Sequence, residues 1–338
     1  MRQIEKREAN SPACGYGLLG LCCSACLLGP CRIPPFDEDS AKGLCGDDRD
    51  RVVARNLLRL TTRETSQGIK DLKETVLKVN SLNLTSTLVE ESKNLLSLIP
   101  EGGSSLISSL YPEKIFPAVR QIFAGSGFPP NSLISLLLDS SDVGEKESSG
   151  VEEILTQSLR ISLMMLISEE LRKDMIQRID GERSPAEDRK ISEALECLPS
   201  TPCPVIIHLS DGDLPLTQPP NQMRDEIQQK LGGTTPTLSI KETHALLDIG
   251  RRLFKRWTFP VADLRVVALI SSRRAASALG ALALGYTVIS FPPLPIHGSA
   301  RAEKFFCEDF QKTFGNAYLP SWQDDTIAKI LERSKGFA

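Results

Sequence analysis

The sequence predicts a helical domain followed by a parallel α/β domain, an α + α/β architecture. Three observations carry that prediction. Apolar residues recur at spacings of three and four from about residue 50 to residue 181. Past residue 203, short apolar runs bounded by turn residues alternate with helical stretches. Ahead of both lies a segment dense in cysteine, glycine and proline. With 338 residues, 41% of them hydrophobic and 25% charged, the chain is long and apolar enough to bury a sizeable core.

Residues 1–46 form the Cys-rich cap and show little helical periodicity. The helical domain spans 47–181. Val52, Val53, Leu57, Leu58 and Leu60 open its first helix, and 69–82 continue the pattern. The longest helix is expected over 151–179, with Ile154, Leu155, Leu159, Leu163, Leu166 and Leu171 on one face. Within it the run ISLMMLI (161–167) reads as a buried helix segment. GGSS at 102–105 and DSSDVGEKESSG at 139–150 read as exposed loops. Polar residues 182–203, with Pro185, Pro199 and Pro202, read as a linker. In 204–338, strands are expected at 205–209, 237–240, 265–270, 287–291 and 317–319, and helices at 222–231, 241–256, 273–284, 299–314 and 324–334. That alternation implies βαβ units and one Rossmann-like sheet covered on both faces.

Composition excludes several classes of partner. Forty basic and 43 acidic residues leave a net charge of −3, without the basic excess of a nucleic-acid binder. No run reaches the ~18 apolar residues that span a bilayer. The first ten residues mix Arg2, Lys6 and Arg7 with Glu5 and Glu8, unlike a secretory leader. Six of the nine cysteines (Cys14, Cys22, Cys23, Cys26, Cys31, Cys45) fall within residues 14–45, whereas a disulfide scaffold would be short and Cys-rich throughout. A reducing, cytoplasmic setting is expected, and there a dense cysteine cluster points to metal.

The spacing is C-x7-CC-x2-C-x4-C-x13-C. A CxxC pair lets two thiolates reach one metal centre from a tight turn, and neighbouring glycines let backbone amides approach sulfur. Iron–sulfur chemistry matches better than zinc, which usually presents two paired knuckles. Six ligands exceed the four that one 4Fe–4S cluster uses and leave two over. Two chains meeting at a two-fold axis would pool their spare pairs around one shared cluster. The glycines Gly15, Gly17 and Gly20 also match GxGxxG, but no strand precedes them, and they read as making room for the cluster.

At these residues the chain resembles the anaerobic nickel–iron carbon monoxide dehydrogenases. The resemblance is carried by the cysteine spacing, Gly29-Pro30-Cys31-Arg32-Ile33, Gly43-Leu44-Cys45-Gly46 and Ala54-Arg55-Asn56-Leu57-Leu58-Arg59. A second match is PPLPIHGS at 292–299, followed by Lys304-Phe305-Phe306 and Glu308-Asp309. The resemblance implies that Cys23, Cys26, Cys31 and Cys45 hold a 4Fe–4S cluster within each chain; Gly29, Gly43 and Gly46 read as candidates for close backbone amides. It also implies that Cys14 and Cys22 of each protomer share a cluster across a homodimer.

Family members are longer and carry two Rossmann-like domains, and their nickel–iron centre draws a histidine and cysteines from both. After Cys45 this chain offers Cys197, Cys203 and Cys307 with His208, His244 and His297. Gln67 stands about where the family places a proton-carrying histidine, so the resemblance implies a shortened member lacking the catalytic cluster, with nickel not expected. The Cys197/Cys203/His208 set and Cys307 read as core residues, and His297 as a loop residue. Ser271-Ser272-Arg273-Arg274 reads as a helix cap more than an anion site. The function expected is electron transfer in a homodimer with a ferredoxin-like donor or acceptor and possibly a catalytic oxidoreductase subunit. The alternatives are a redox enzyme with an unconventional or partner-supplied site near Cys203 and His208, and a redox-sensing dimer.

Overall fold

The computed structural model describes residues 14–36, 41–81, 117–123, 133–145, 149–180, 186–201, 203–210, 224–225, 228–229, 235–257 and 266–319. The GGSS segment, the helix expected at 324–334 and most of that at 222–231 lie outside these residues. The fold mixes helices with a parallel sheet.

Helix α1 (Gly15–Leu18) opens the cap and is followed by a two-residue antiparallel hairpin, β1 (Cys22–Cys23) and β2 (Cys31–Arg32). Helix α2 (Arg49–Ser81) is the longest among the described residues, exceeding the helix expected at 151–179. The Asp48 carboxylate accepts the Arg51 N–H at 2.8 Å and caps its start. Val53, Leu57, Leu72 and Val76 recur at helical spacing on its buried stripe. Short α3 (Pro117–Ile122) and α4 (Leu133–Glu145) follow. Residues 139–145, expected in a loop, are therefore helical. Their polar run is tolerated because the Gln157 amide donates to Ser140 Oγ at 2.9 Å and Gly144 lets α4 close on α2.

Helix α5 (Val151–Asp180) is wedged between α2 and a helix of the second half. Burial is not confined to the predicted face: Ile161, Met164, Met165 and Ile167 are also 0% exposed. The two-sided contact explains this. Thr65 Oγ1 of α2 donates to Ile161 O at 3.0 Å, and Gly280 on the other side sits against Leu166 and Ser162 O. Buried Ser158, Ser162 and Ser168 return their hydroxyls to carbonyls one turn earlier. The span read as a linker contains α6 (Ala186–Glu196), whose Ile191 and Leu195 are buried.

The second half holds β3 (Val205–Ser210), β4 (Thr237–Ile240), α7 (Ala245–Trp257), β5 (Val266–Ser271), α8 (Ala275–Ala283) and β6 (Thr287–Phe291). The strands are parallel in the order β4-β3-β5-β6. Side chains alternate between faces: Ile206, Val267, Leu269 and Ile289 pack with Ala317 and Leu319 on one, while Val205, Ile207, Ala268 and Ile270 join the main core on the other. The strand expected at 317–319 reduces to one parallel bridge between Val288 and Tyr318. The helix expected at 299–314 is α9 (Ala300–Lys304), a π-helical turn (Phe305–Asp309) and α10 (Phe310–Phe314). Among the described residues no helix is long and apolar enough to cross a membrane.

The loop 292–299 returns to the cap. Gly20 has φ 76°, a left-handed conformation, and a Cβ there would strike the Pro295 carbonyl. Gly298 N–H donates to Leu19 O at 2.9 Å, and Ser299 Oγ donates to Asp50 Oδ1 at 2.6 Å. Gly20 thus makes room for this loop instead of for a cluster. Gly298→Ala would set a Cβ 2.5 Å from both Leu19 O and Leu21 Cγ. It should lower stability by about 1–3 kcal/mol in urea unfolding, as overpacking does, with faster hydrogen exchange at the Gly298 amide.

Candidate metal centre

The Cys22-Cys23 dipeptide lies on a strand, so its two side chains point to opposite faces. Cys23 pairs in register with Cys31, and Cys22 with Arg32. Cys23 is buried, while Cys22 is half-buried on the other side. A cavity of about 200 Å³ is lined by Cys23, Cys26, Cys31 and Cys45. Cys14 and Cys22 do not line it. Cys14 is exposed at the start of α1, where the backbone N–H groups of Gly17 and Tyr16 hold its thiol below the ordinary range.

Helix α2 supplies the wall behind the thiols. Asn56 Nδ2 donates to Gly20 O at 2.8 Å and to Cys22 O at 2.9 Å, tying the strand to the helix. Arg59 Nη1 approaches Cys23 Sγ at 3.8 Å. Asp47 sits between Arg51, 3.2 Å away, and Arg55, and also accepts from Cys45 Sγ at 3.2 Å. The cavity therefore has a positively charged wall with its one carboxylate already paired. These residues occupy the stretch right after Cys45, and the four-residue spacing of Arg51, Arg55 and Arg59 was the available signal for them.

The glycine expectation is corrected in part. Gly29 N–H donates to Cys26 O, Gly43 N–H to Asp47 O and Gly46 N–H to Gly43 O, so these amides serve the backbone. What Gly43 contributes is closeness, since a Cβ there would lie 3.6 Å from Cys45 Sγ and 4.0 Å from Cys31 Sγ. Among the described residues no three His, Cys, Asp or Glu side chains converge on a single metal ion. Four thiols spread around one cavity, facing a cationic wall, suit a multi-iron cluster in which each iron takes one thiolate.

The other residues singled out in the sequence stand apart. Cys197, expected in the core, is instead exposed because it follows the last residue of α6, whereas Cys307 lies in the π-helical turn, packed against the core as expected. Burial pushes the Cys203 thiol up, and burial, with Arg224 behind it, pulls the His208 imidazole below its usual range. His297 Nδ1 pairs with Glu303 Oε1 at 2.6 Å. At the start of α8, after Ser271-Ser272-Arg273-Arg274, the place of an anion is taken by Glu64, whose carboxylate accepts the Ala276 N–H at 2.8 Å. Arg274 pairs instead with Glu169.

This arrangement is a cysteine-lined pocket backed by a long helix in a protein of mixed helices and parallel sheet. Comparison with known proteins narrows it. Residues 21–99 match the model of the Prismane/CO dehydrogenase family. Carbon monoxide dehydrogenase 1 of Methanosarcina mazei is 37% identical over 112 residues, which is 32% of this chain and 18% of that protein. The carbon monoxide dehydrogenase of Rhodospirillum rubrum is 52% identical over 59 residues, 18% of this chain and 9% of that one. The crystal structure of the Thermococcus sp. AM4 carbon monoxide dehydrogenase aligns with a TM-score of 0.42 at 15% identity, over 98% of this chain and 57% of that one. The matched residues 21–99 include Cys22, Cys23, Cys26, Cys31 and Cys45, so the resemblance read from these motifs holds for that segment, while the chain spans less than a fifth of the length of these curated relatives.

Asn56→Ala removes both carbonyl contacts and should destabilise the protein by about 1–3 kcal/mol, with faster alkylation of Cys23 in cluster-free protein. His208 gives a pH signature. Its depressed pKa means the unfolded chain binds more protons below pH ~6.5, so stability falls as pH drops through that range. Urea midpoints at neutral and mildly acidic pH should differ less in His208→Gln.

Proposed function

We propose that the chain is an electron-transfer protein that works as a homodimer, with iron–sulfur clusters held by its cap and no nickel–iron centre of its own. The observation that carries this reading is the single cavity lined by Cys23, Cys26, Cys31 and Cys45. A 4Fe–4S cluster bound on those thiolates supplies one-electron transfer. Arg59 and the paired Asp47–Arg55 set the charge around the thiolates, and Leu21 and Ile33, both buried, back the hairpin on the core.

Cys14 and Cys22 are left over for a shared cluster. The dimer draws support from the apolar surface of the same cap: Leu18, Leu27, Leu28, Phe36 and Leu44 are exposed, at 51–104%. Five large apolar side chains exposed within one short segment are what a covering partner would bury. A ferredoxin-like protein and a catalytic oxidoreductase subunit would stand at the two ends of the relay, in a reducing cytoplasm. The absence of a nickel–iron centre rests on residues within the chain. Where the family places a proton-carrying histidine, α2 has Gln67, hydrogen-bonded to Asp71 at 2.7 Å.

Anaerobically purified protein should run as a dimer with on the order of 12 iron atoms and negligible nickel. Cys14→Ser together with Cys22→Ser should lower iron to about 8 per pair of chains and keep the reduced-cluster EPR signal of the remaining sites. One nickel per chain, or CO-dependent dye reduction, would overturn the reading.

A further inference from the structure

A second cavity, of about 260 Å³, lies along α2 next to the cysteine pocket and shares Arg55 and Arg59 with it. Arg55, Arg59 and Arg63 stand four residues apart on one helix face, where like charges repel one another. The other polar lining comes from Thr62, Ser140 and Ser141, and no carboxylate lines the cavity. Arg55 is neutralised by Asp47 on its cysteine side. Arg59 and Arg63 are exposed, and neither closes an ion pair among the described residues, although the charge of Arg63 is felt by Glu64. Elsewhere the fold answers such donors itself: Glu64, next in sequence to Arg63, turns away to satisfy the start of α8. Two exposed guanidiniums on one cavity rim, without an ion pair among the described residues, are a receptor for an external oxyanion.

We propose that this cavity binds a small oxyanion, and that its occupancy lowers the reduction potential of the cluster beside it. The second half rests on the cluster reading above. The shared guanidinium gives the physical link. Arg59 is the cation nearest Cys23 Sγ, and an anion that draws its charge away makes the addition of an electron to the cluster less favourable. The volume admits a tetrahedral oxyanion or a short carboxylate, so the shared chemistry is an anionic oxygen cluster facing a guanidinium fork.

The test is calorimetric titration of inorganic phosphate, with succinate in parallel, into anaerobically purified protein at low ionic strength, where screening is weak. Wild type should bind one of the two. Arg63→Glu should weaken binding at least about tenfold, as expected for loss of a charge-assisted contact and gain of a like charge. Arg189→Glu, at an exposed arginine on α6, should leave binding unchanged. Saturating phosphate or succinate should lower the midpoint potential of wild type but not of Arg63→Glu. Absence of binding, or equal binding by Arg63→Glu, overturns the site. Binding that is lost in Arg63→Glu but leaves the potential unmoved overturns the coupling alone. Protein that takes up no iron overturns the cluster reading, while the titration still decides the site.

Discussion

The cysteine cap keeps its shape because two glycines far apart in sequence let backbone meet backbone. Gly20 turns the chain left-handed under the Pro295 carbonyl, and Gly298 lays its N–H on Leu19 O. The loop that presents Gly298 is itself fixed to the sheet. Tyr318 Oη accepts the Leu294 N–H at 2.8 Å and pairs with Ser290 Oγ, in a site so buried that its phenol is pushed up to about 12. Among the described residues of the cap, Leu21 and Ile33 are the most deeply buried hydrophobic anchors. The cap borrows order from the far end of the described chain.

The long helix α2 turns that order into a pocket. One face delivers Val53 and Leu57 to the core, and Asn56 reaches from the same helix to hold two cap carbonyls. The pocket-facing arginines follow at four-residue spacing, so the cationic wall is a direct product of helical geometry. Behind them α5 is packed on both sides, by α2 and α8, which removes the freedom of a surface helix. Ion pairs tie the same helix to the second half, Glu170 with Arg251 of α7 and Glu169 with Arg274 at the start of α8. Burial raises the Glu170 carboxyl against the pull of Arg251, so that pair adds definition more than stability.

Charge around the thiols is arranged unevenly. Asp47 absorbs Arg51 and Arg55 and takes the Cys45 thiol as a donor, whereas Arg59 faces Cys23 with no carboxylate between them. The nearby glycine amides are spent within the backbone. The field at the pocket therefore comes from side chains, which respond to whatever lies on their far side, more than from fixed peptide dipoles.

Much of this was legible in the linear chain. The parallel strands appear as uninterrupted apolar runs because both faces are covered, and β4 and β6 match their expected bounds. The cysteine count showed that six ligands exceed one cluster's four, the family resemblance alone named which four, and the strand that sends the adjacent Cys22 and Cys23 to opposite faces came from the structure. Sequence could not show that Gly20 serves Pro295, that Glu64 caps a helix 212 residues away, or that polar 139–145 is helical. Each of those depends on a partner brought close only by folding. Local periodicity and thiol spacing are properties of neighbouring residues, so sequence determined them. Which amide, glycine or guanidinium is left over for chemistry depends on contacts across hundreds of residues, and the tertiary structure alone decided it.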